Sequence, residues 1–242
     1  MSGTEHEAPP QRAKAFLALA LSAPIPLLGA ATAMVWFPDA VLAKVAFFCA
    51  KIWVMCVPLI WLLRVEGVRP RIPRWSNRGM GLAHGSGLLI ALVILGAYYG
   101  FAWRWVDFGP LHERIAEMGL DSKALYLLGA LYWCTINSLL EEYFWRWFTF
   151  SRLRDVLPRG AAMTAAAVVG AGLLFTVHHV LALDVYFDWR ITALGSLGVF
   201  IGGVTWSALY SHTRNIYAPY ISHVYADLAI FWIGWQLIFG QG

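Results

Sequence analysis

Charged residues are scarce in this chain of 242 residues, where Asp, Glu, Lys and Arg make up 13% and hydrophobic residues 60%. A globular domain in water carries about a quarter charged residues, which it needs to cover its surface. The shortage excludes a disordered chain and argues against a cytosolic enzyme. The 13 Trp and 10 Tyr residues are typical of the membrane–water interface. The composition therefore predicts a polytopic membrane protein.

Cysteine is also rare, and motifs for nucleic-acid binding are lacking. Cys49 and Cys56 are seven residues apart, about 10 Å along a helix, which is too far for a disulfide. We expect these two residues and Cys134 to be small buried apolar side chains. The net charge of +4 comes without a Gly-rich phosphate loop or a dense basic run in a soluble segment. No nucleic-acid partner is therefore predicted.

Seven apolar runs follow a polar N-terminal tail at residues 1–13, and each approaches the roughly 20 residues that a bilayer crossing needs. In approximate numbers they cover 15–37, 41–63, 82–103, 123–154, 161–183, 191–210 and 216–239. The sequence predicts an all-α transmembrane bundle of about seven spans, or eight with a re-entrant segment. A short interfacial helix is expected around residues 111–118, and the Gly-rich sixth run suits close helix packing.

Loop charge predicts how the chain is oriented in the membrane. With the N-terminus inside, the inner segments hold 12 of the 18 Lys and Arg residues, including five arginines between residues 64 and 78. Basic residues are enriched in cytoplasmic loops. We therefore expect a protein of the bacterial inner (cytoplasmic) membrane, with its N-terminus in the cytoplasm. Lys51, inside the second run, either snorkels to the interface or faces the bundle interior.

Ionisable side chains inside apolar spans are costly, and this chain gathers them in its second half. Glu142 and Arg146 are four residues apart on a helix and can pair, whereas Glu141 projects about 100° away and stays free for chemistry. His223 and Asp227 share one face of the last helix by the same spacing. Each feature alone has a structural explanation, such as a neutralised ion pair. Their coincidence predicts a functional site.

The fifth apolar run adds Phe175 and two adjacent histidines, His178 and His179. From a rise of 1.5 Å per residue, Glu141, His179 and His223 lie about 14, 22 and 9 Å from the inner boundary of the membrane. Straight vertical helices would spread these three side chains over more than about 10 Å in depth. Tilted or kinked helices are therefore required to bring them together.

Three motifs in this order resemble the pattern of the CPBP intramembrane proteases, a family that contains type II CAAX prenyl endopeptidases and bacterial Abi-type proteins. The motifs are Glu141-Glu142-x-x-x-Arg146, Phe175-x-x-x-His179 and His223-x-x-x-Asp227. The segment 209–219 is also similar to the family's approach to its last motif. The resemblance covers about residues 123–239. It implies a catalytic core at 123–242, preceded by transmembrane helices and loops at 14–122.

The resemblance also implies an activity: hydrolysis of a peptide bond near the C-terminus or membrane anchor of a substrate. Glu141 is then the general base that activates a water, helped by His179, while His223 and Asp227 stabilise the oxyanion. The supporting residues are Glu142, Arg146 and Phe175. The expected partners are the lipid bilayer and a membrane-anchored or lipid-modified protein substrate. No cofactor is implied.

Asp227 departs from the family pattern, whose last motif often ends in Asn, an amide that donates hydrogen bonds. Either Asp227 is protonated in its apolar surroundings, or it orients His223, which then donates alone. A third arrangement is a zinc site built from Glu, two His and Asp, with a metal-bound water as nucleophile. The resemblance favours the metal-free mechanism over this arrangement.

Two other classes of function stay open at the level of sequence. Membrane acids and histidines also form proton relays, so a proton- or solute-coupled transporter is one alternative. A transporter of this kind is expected to carry paired features in both halves of the chain, whereas the polar residues here are confined to the second half. The other alternative is a non-catalytic scaffold or immunity protein with the CPBP fold.

Overall fold

The computed structural model describes residues 9–69, 75–106, 109 and 121–240. Within these ranges the regular elements are helices and no strand occurs, which confirms the all-α prediction. Seven long helical segments correspond to the seven apolar runs. In chain order they are α1 (residues 9–36), α2 (Val41–Val65), α3 (Met80–Gly100), α4 (residues 123–156), α5 (Ala161–Tyr186), α6 (Trp189–Thr213) and α7 (Tyr217–Phe239).

The first two segments are built from shorter pieces, and the helical chain begins at Pro9, inside the tail predicted at residues 1–13. A short 3₁₀ turn, Ala102–Trp105, follows α3. The pieces of α1 are Pro9–Ser22, Ile25–Ala31 and a π-helical turn at Thr32–Trp36, and those of α2 are Val41–Ile60 and a π-helical turn at Trp61–Val65. The interfacial helix predicted at residues 111–118 lies outside the described residues, as do Arg71 and Arg74.

Six of the seven helices are long and apolar enough to cross a membrane, close to the seven predicted spans. The exception is α4, whose middle carries Asn137, Glu141 and Glu142 among its apolar residues. These polar side chains lower the hydropathy of α4. The residues that mark the candidate site are thus the ones that set α4 apart from the other six helices.

The α4 helix alternates between α-helical and π-helical stretches. Its α-helical pieces are Lys123–Leu131, Ser138–Glu142 and Ser151–Val156, and its π-helical pieces are Tyr132–Asn137 and Tyr143–Phe150. A π-helical turn holds more residues than an α-helical turn and is common at functional sites. Glu141 and Glu142 therefore lie on a short α-helical piece between two π-helical pieces. In the π-helical pieces the side chains point in other directions than they would in a continuous α-helix.

Close helix contacts in the C-terminal half surround the middle of α4. Gly172 of α5 faces α6 so closely that a Cβ atom there would lie 2.7 Å from Val204 Cγ2. Gly203 of α6 faces Gly172 in turn, in agreement with the close packing expected of the Gly-rich sixth run. Between these helices lies a cluster of buried aromatic side chains that includes Phe144, Trp145, Phe148, Phe175 and Trp206.

The α2 helix is the least buried of the six membrane-capable helices, and many of its large apolar side chains are exposed. Cys49 and Cys56 on α2 are exposed as well, so the expectation that all three cysteines are buried is wrong for these two. The reason is that α2 contacts the rest of the bundle along one side. Cys134 on α4 is buried, as expected.

Two contacts fix α2 along the length of α4. Near the end of α2, Glu66 pairs with Arg152 of α4 and also accepts a hydrogen bond of 3.0 Å from the indole of Trp61. Nearer the middle of α2, the backbone oxygen of Met55 accepts a hydrogen bond of 2.9 Å from the hydroxyl of Tyr143 on α4. These contacts set which residues of α2 lie level with the two glutamates of α4.

Candidate active site

The centre of the site is an ion pair that water does not reach. Glu142 and Arg146 are fully buried, and Arg146 Nη1 donates to Glu142 Oε1 over 2.9 Å, as their spacing predicts. The guanidinium also lies over the rings of Phe175 and Trp206, at 4.5 and 5.1 Å from their centroids. Arg146 is one of the 12 basic residues that the loop-charge prediction counts on the inner side. It belongs instead to the core and does not contribute to the loop charge that orients the chain.

His223 of α7 is connected to this ion pair. Its Nδ1 lies 2.9 Å from Glu142 Oε1, and the ring stacks on Trp206 with 3.8 Å between centroids. A carboxylate oxygen that already accepts from Arg146 can only accept again, so His223 Nδ1 carries a proton and donates it. The other nitrogen, Nε2, points to the acids Glu141 and Asp227, at 3.8 and 3.6 Å.

Glu141 differs from its neighbour Glu142 in access and in partners. Its side chain is 17% exposed, whereas that of Glu142 is not exposed at all. Glu141 Oε1 accepts a hydrogen bond of 2.9 Å from the Asn137 amide, one turn earlier on α4. No Lys or Arg among the described residues forms a salt bridge with it. Of the two adjacent carboxylates, Glu141 is thus the one that a substrate or a water can reach.

The α5 helix contributes Phe175 and the two histidines. His179 Nδ1 lies 2.8 Å from the backbone oxygen of Phe175, which fixes the proton on Nδ1 and leaves Nε2 with a lone pair. The buried Phe175 ring contacts the rings of both histidines and of His223. Phe175 therefore packs in the middle of the histidines. Ligand atoms of Glu141, His178 and His179 all lie within 4.8 Å of one another.

Asp227 lies one turn beyond His223 on α7, and its second oxygen contacts α4. Asp227 Oδ2 is 2.6 Å from Ser138 Oγ, and the same hydroxyl lies 2.7 Å from the backbone oxygen of Trp133. Ser138 has one hydroxyl proton and cannot donate to both oxygens at once. If it donates to the carbonyl, Asp227 must carry the proton between them. This geometry is compatible with either of the two states considered for Asp227.

Lys51 reaches the site from α2. Its ammonium group acts electrostatically on Glu141, His178 and His179, and it lies 5.6 Å from the centroid of the Phe47 ring. It forms no salt bridge within 4.0 Å among the described residues. The Lys51 side chain is exposed, so it does not lie buried in the interior of the bundle.

The structure brings all seven sequence-predicted residues together, despite the spread in depth calculated for straight helices. Side chains at these depths meet only if the helices depart from ideal geometry. The π-helical turns on both sides of Ser138–Glu142 are departures of this kind. Sequence reasoning missed Asn137, Ser138 and Trp206. Asn137 and Ser138 were recognisable, because each lies four residues before a glutamate, the spacing that also identified the ion pair.

The fold and the site together define a class: a helical membrane protein with an accessible carboxylate and histidines beside a buried ion pair. Residues 123–229 match the profile of a family described as type II CAAX prenyl endopeptidase Rce1-like. All seven site residues lie in the matched segment, and the match confirms the family predicted from the motifs. It indicates a membrane protease of the CAAX-processing type. Comparison with curated proteins and with solved structures gave no match.

Proposed function

We propose that the protein is an intramembrane endopeptidase in which Glu141 activates a water for attack on a peptide bond. The observation that carries the proposal is the contrast between the two adjacent glutamates. Glu142 is fully buried and neutralised by Arg146, whereas Glu141 is partly accessible and lies near the histidines. A carboxylate that forms no salt bridge with a Lys or Arg among the described residues is available to take a proton from water.

His179 assists Glu141 in this scheme. Because His179 donates from Nδ1 to the Phe175 carbonyl, its Nε2 lone pair is available to the same water. One acid and one histidine on neighbouring helices can thus hold the attacking water between them. The bond that forms joins the water oxygen to the substrate carbonyl carbon, and the water proton goes to Glu141. Glu141 then returns this proton to the leaving amine when the peptide bond breaks.

His223 and Asp227 stabilise the negative oxygen that develops on the substrate. His223 Nδ1–H already donates to Glu142, so donation from Nε2 to the oxyanion requires the imidazolium form. The carboxylates of Glu141, Glu142 and Asp227 all lie within 4 Å of its ring, an arrangement suited to a cation. A donor aimed at a developing oxyanion is worth about 3 kcal/mol. Asp227, bridged by Ser138, orients His223 or donates a second hydrogen bond.

The substrate of this reaction is a membrane-anchored or lipid-modified protein, cleaved near its C-terminus or its anchor. The support is the position of the site among membrane-capable helices, which soluble folded proteins do not enter. We further propose a bacterial inner membrane location with a cytoplasmic N-terminus, on the basis of the loop charges. Transport is less well supported, because the predicted site residues all lie in the C-terminal half.

The test compares the C-termini of membrane proteins in cells that express the wild-type chain or Glu141→Gln, measured by mass spectrometry of isolated membranes. The glutamine is isosteric with glutamate but cannot accept the water proton. We expect a defined set of proteins to keep its C-terminal segment in the variant. The matched control is Asp184→Asn, an exposed acid on α5, which should leave processing unchanged.

The proposal fails if the folded Glu141→Gln variant produces the same set of C-termini as the wild-type chain. A set that changes equally in Asp184→Asn would also contradict it, because the change would not depend on the site. Expression and folding of each variant are checked by its abundance in the membrane and by its thermal unfolding in detergent.

A further inference from the structure

The ring of Trp206 on α6 contacts both side chains that donate hydrogen bonds to Glu142. The indole stacks on the His223 imidazole with 3.8 Å between centroids and an interplanar angle of 17°. The Arg146 guanidinium lies 5.1 Å from the centroid of the Trp206 ring. Trp206 is buried, and the proposed hydrolysis gives it no role. Its ring nevertheless sets the plane in which the His223 imidazole lies.

A chain of hydrogen bonds holds the indole at its nitrogen. The Nε1–H group of Trp206 donates to Ser222 Oγ over 3.1 Å, and Ser222 Oγ lies 3.0 Å from Ser86 Oγ on α3. Ser86 donates its one hydroxyl proton to the backbone oxygen of Ala83 over 3.2 Å. Ser86 therefore accepts from Ser222, and Ser222 accepts from the indole, which can only donate. The chain runs in one direction from Trp206 to α3.

Two glycines make these close contacts possible. A Cβ atom at Gly202, one turn before Trp206, would lie 3.0 Å from Cη2 of the indole. A Cβ atom at Gly87 of α3 would lie 3.0 Å from the Cα atom of Ser222. Both distances are shorter than the roughly 3.5–4.0 Å at which carbon atoms pack best. Gly202 thus leaves room for the indole, and Gly87 lets α3 come close enough to α7 for Ser86 to reach Ser222.

We propose that Trp206 is a positioning residue, which holds the His223 ring so that Nε2 is aimed at the developing oxyanion. The inference rests on the proposed function, in which His223 donates to this oxygen. The hydrogen bond to Glu142 fixes Nδ1 of His223 but leaves the ring free to turn about that bond, and the stacked indole prevents the turn. The face of an indole also attracts a cation, the form of His223 that donates from both nitrogens. Ser86 supports the same arrangement from α3.

The two ways of shortening Trp206 separate its ring from its N–H group. The oxyanion exists only during the reaction, so a misplaced His223 lowers kcat and leaves KM unchanged. Trp206→Leu removes the stacking face and should lower kcat by about 100-fold, the usual cost of a misplacement of about 1 Å. Trp206→Phe keeps a flat ring against His223 and loses one hydrogen bond, so its kcat should stay within about tenfold of the wild type.

Two substitutions disturb the indole without changing Trp206 itself. Gly202→Ala pushes against the indole ring, and Ser86→Ala removes the end of the hydrogen-bond chain. Both should lower kcat by about three- to tenfold with KM unchanged. The matched control is Trp232→Leu. Its indole also connects α7 to α3, by a bond of 3.1 Å to the Tyr99 hydroxyl, but lies about 13 Å beyond His223 along α7. It should leave kcat and KM unchanged.

The position of the His223 ring is measured first, without a substrate, by NMR of the purified chain in detergent with isotope-labelled histidine. The His223 signals are those that disappear in His223→Gln. Protons above the face of an indole are shielded, so we expect these signals to move downfield in Trp206→Leu and to keep their positions in Trp232→Leu. Unchanged signals in a folded Trp206→Leu chain would overturn the inference. If thermal unfolding shows that this variant is not folded, the same signals in Gly202→Ala and Ser86→Ala decide.

Cleavage of a membrane-protein peptide by the chain in liposomes then gives kcat and KM for each variant. A wild-type kcat in Trp206→Leu would overturn the inference, as would an equal loss in Trp232→Leu or a Trp206→Phe chain that is no more active than Trp206→Leu. Cleavage that does not depend on Glu141 contradicts the proposed function instead. The NMR signals still decide in that case whether Trp206 positions His223.

Discussion

Replacement of Arg146 by methionine removes a cation from the most deeply buried charged pair described in the protein. Glu142 and Arg146 are both fully buried, and the guanidinium lies between the rings of Phe175 and Trp206. Methionine fills much of the same space between these rings but removes the arginine from Glu142, which keeps only the hydrogen bond from His223. The substitution therefore isolates the electrostatic part of the interaction from most of the packing.

The expected loss of stability follows from the cost of an unpaired buried charge. Breaking a buried ion pair by removing one partner costs about 3–5 kcal/mol. The hydrogen bond from Arg146 to the Gly203 carbonyl is lost as well, although its length of 3.4 Å makes it the smaller contribution. At about 2–4 °C per kcal/mol for a chain of this size, the unfolding temperature should fall by roughly 6–20 °C.

The double variant Glu142→Gln/Arg146→Met separates the charge from the shape. Because it removes both charges, it should recover most of the stability lost in Arg146→Met. Thermal unfolding of the purified chain in detergent measures all three proteins under one condition. A fall of less than about 1 kcal/mol in Arg146→Met, or no recovery in the double variant, would refute the assignment of the buried pair as the electrostatic support of the site.

Three further substitutions test other parts of the structure. Gly172→Ala puts a Cβ atom against a valine methyl of α6 and should lower the free energy of unfolding by about 1–3 kcal/mol. In the same unfolding assay the control Gly198→Ala, whose Cβ atom would lie in open space, should be neutral or stabilising. Tyr126→Phe removes a 2.7 Å hydrogen bond to α7 and should cost about 1 kcal/mol, whereas the exposed Tyr132→Phe should not. Asn137→Ala removes the hydrogen-bond donor to Glu141 and should lower kcat/KM about tenfold with little change in unfolding temperature. A kcat/KM equal to that of the wild type would contradict a positioning role for Asn137.

Much of the architecture was predictable because the membrane imposes a simple rule on sequence. Apolar runs near 20 residues must be helices, since the bilayer core offers the backbone no other hydrogen-bond partners. Residues four apart on a helix must share a face, which is how the pairs Glu142–Arg146 and His223–Asp227 were recognised. In both pairs the two side chains lie within 4 Å of each other in the structure.

The rest depended on geometry that spacing does not encode. The π-helical turns of α4 have no sequence pattern of their own, so the meeting of Glu141 with the histidines could not be derived from ideal helices. The contact between Glu142 and His223 joins residues 81 positions apart in the sequence. The approach of Lys51 from α2 likewise follows from contacts between helices, which a single sequence does not reveal.

The most direct test of the central claim is cleavage by the purified chain in liposomes, with a peptide taken from a C-terminus that changes in cells. The account predicts that Glu141→Gln lowers kcat/KM by about 100- to 10,000-fold while the unfolding temperature stays unchanged. It also predicts that a strong chelator leaves wild-type cleavage intact. A folded Glu141→Gln variant that cleaves at the wild-type rate, or a wild type that loses activity with chelator, would contradict a mechanism in which Glu141 activates the water.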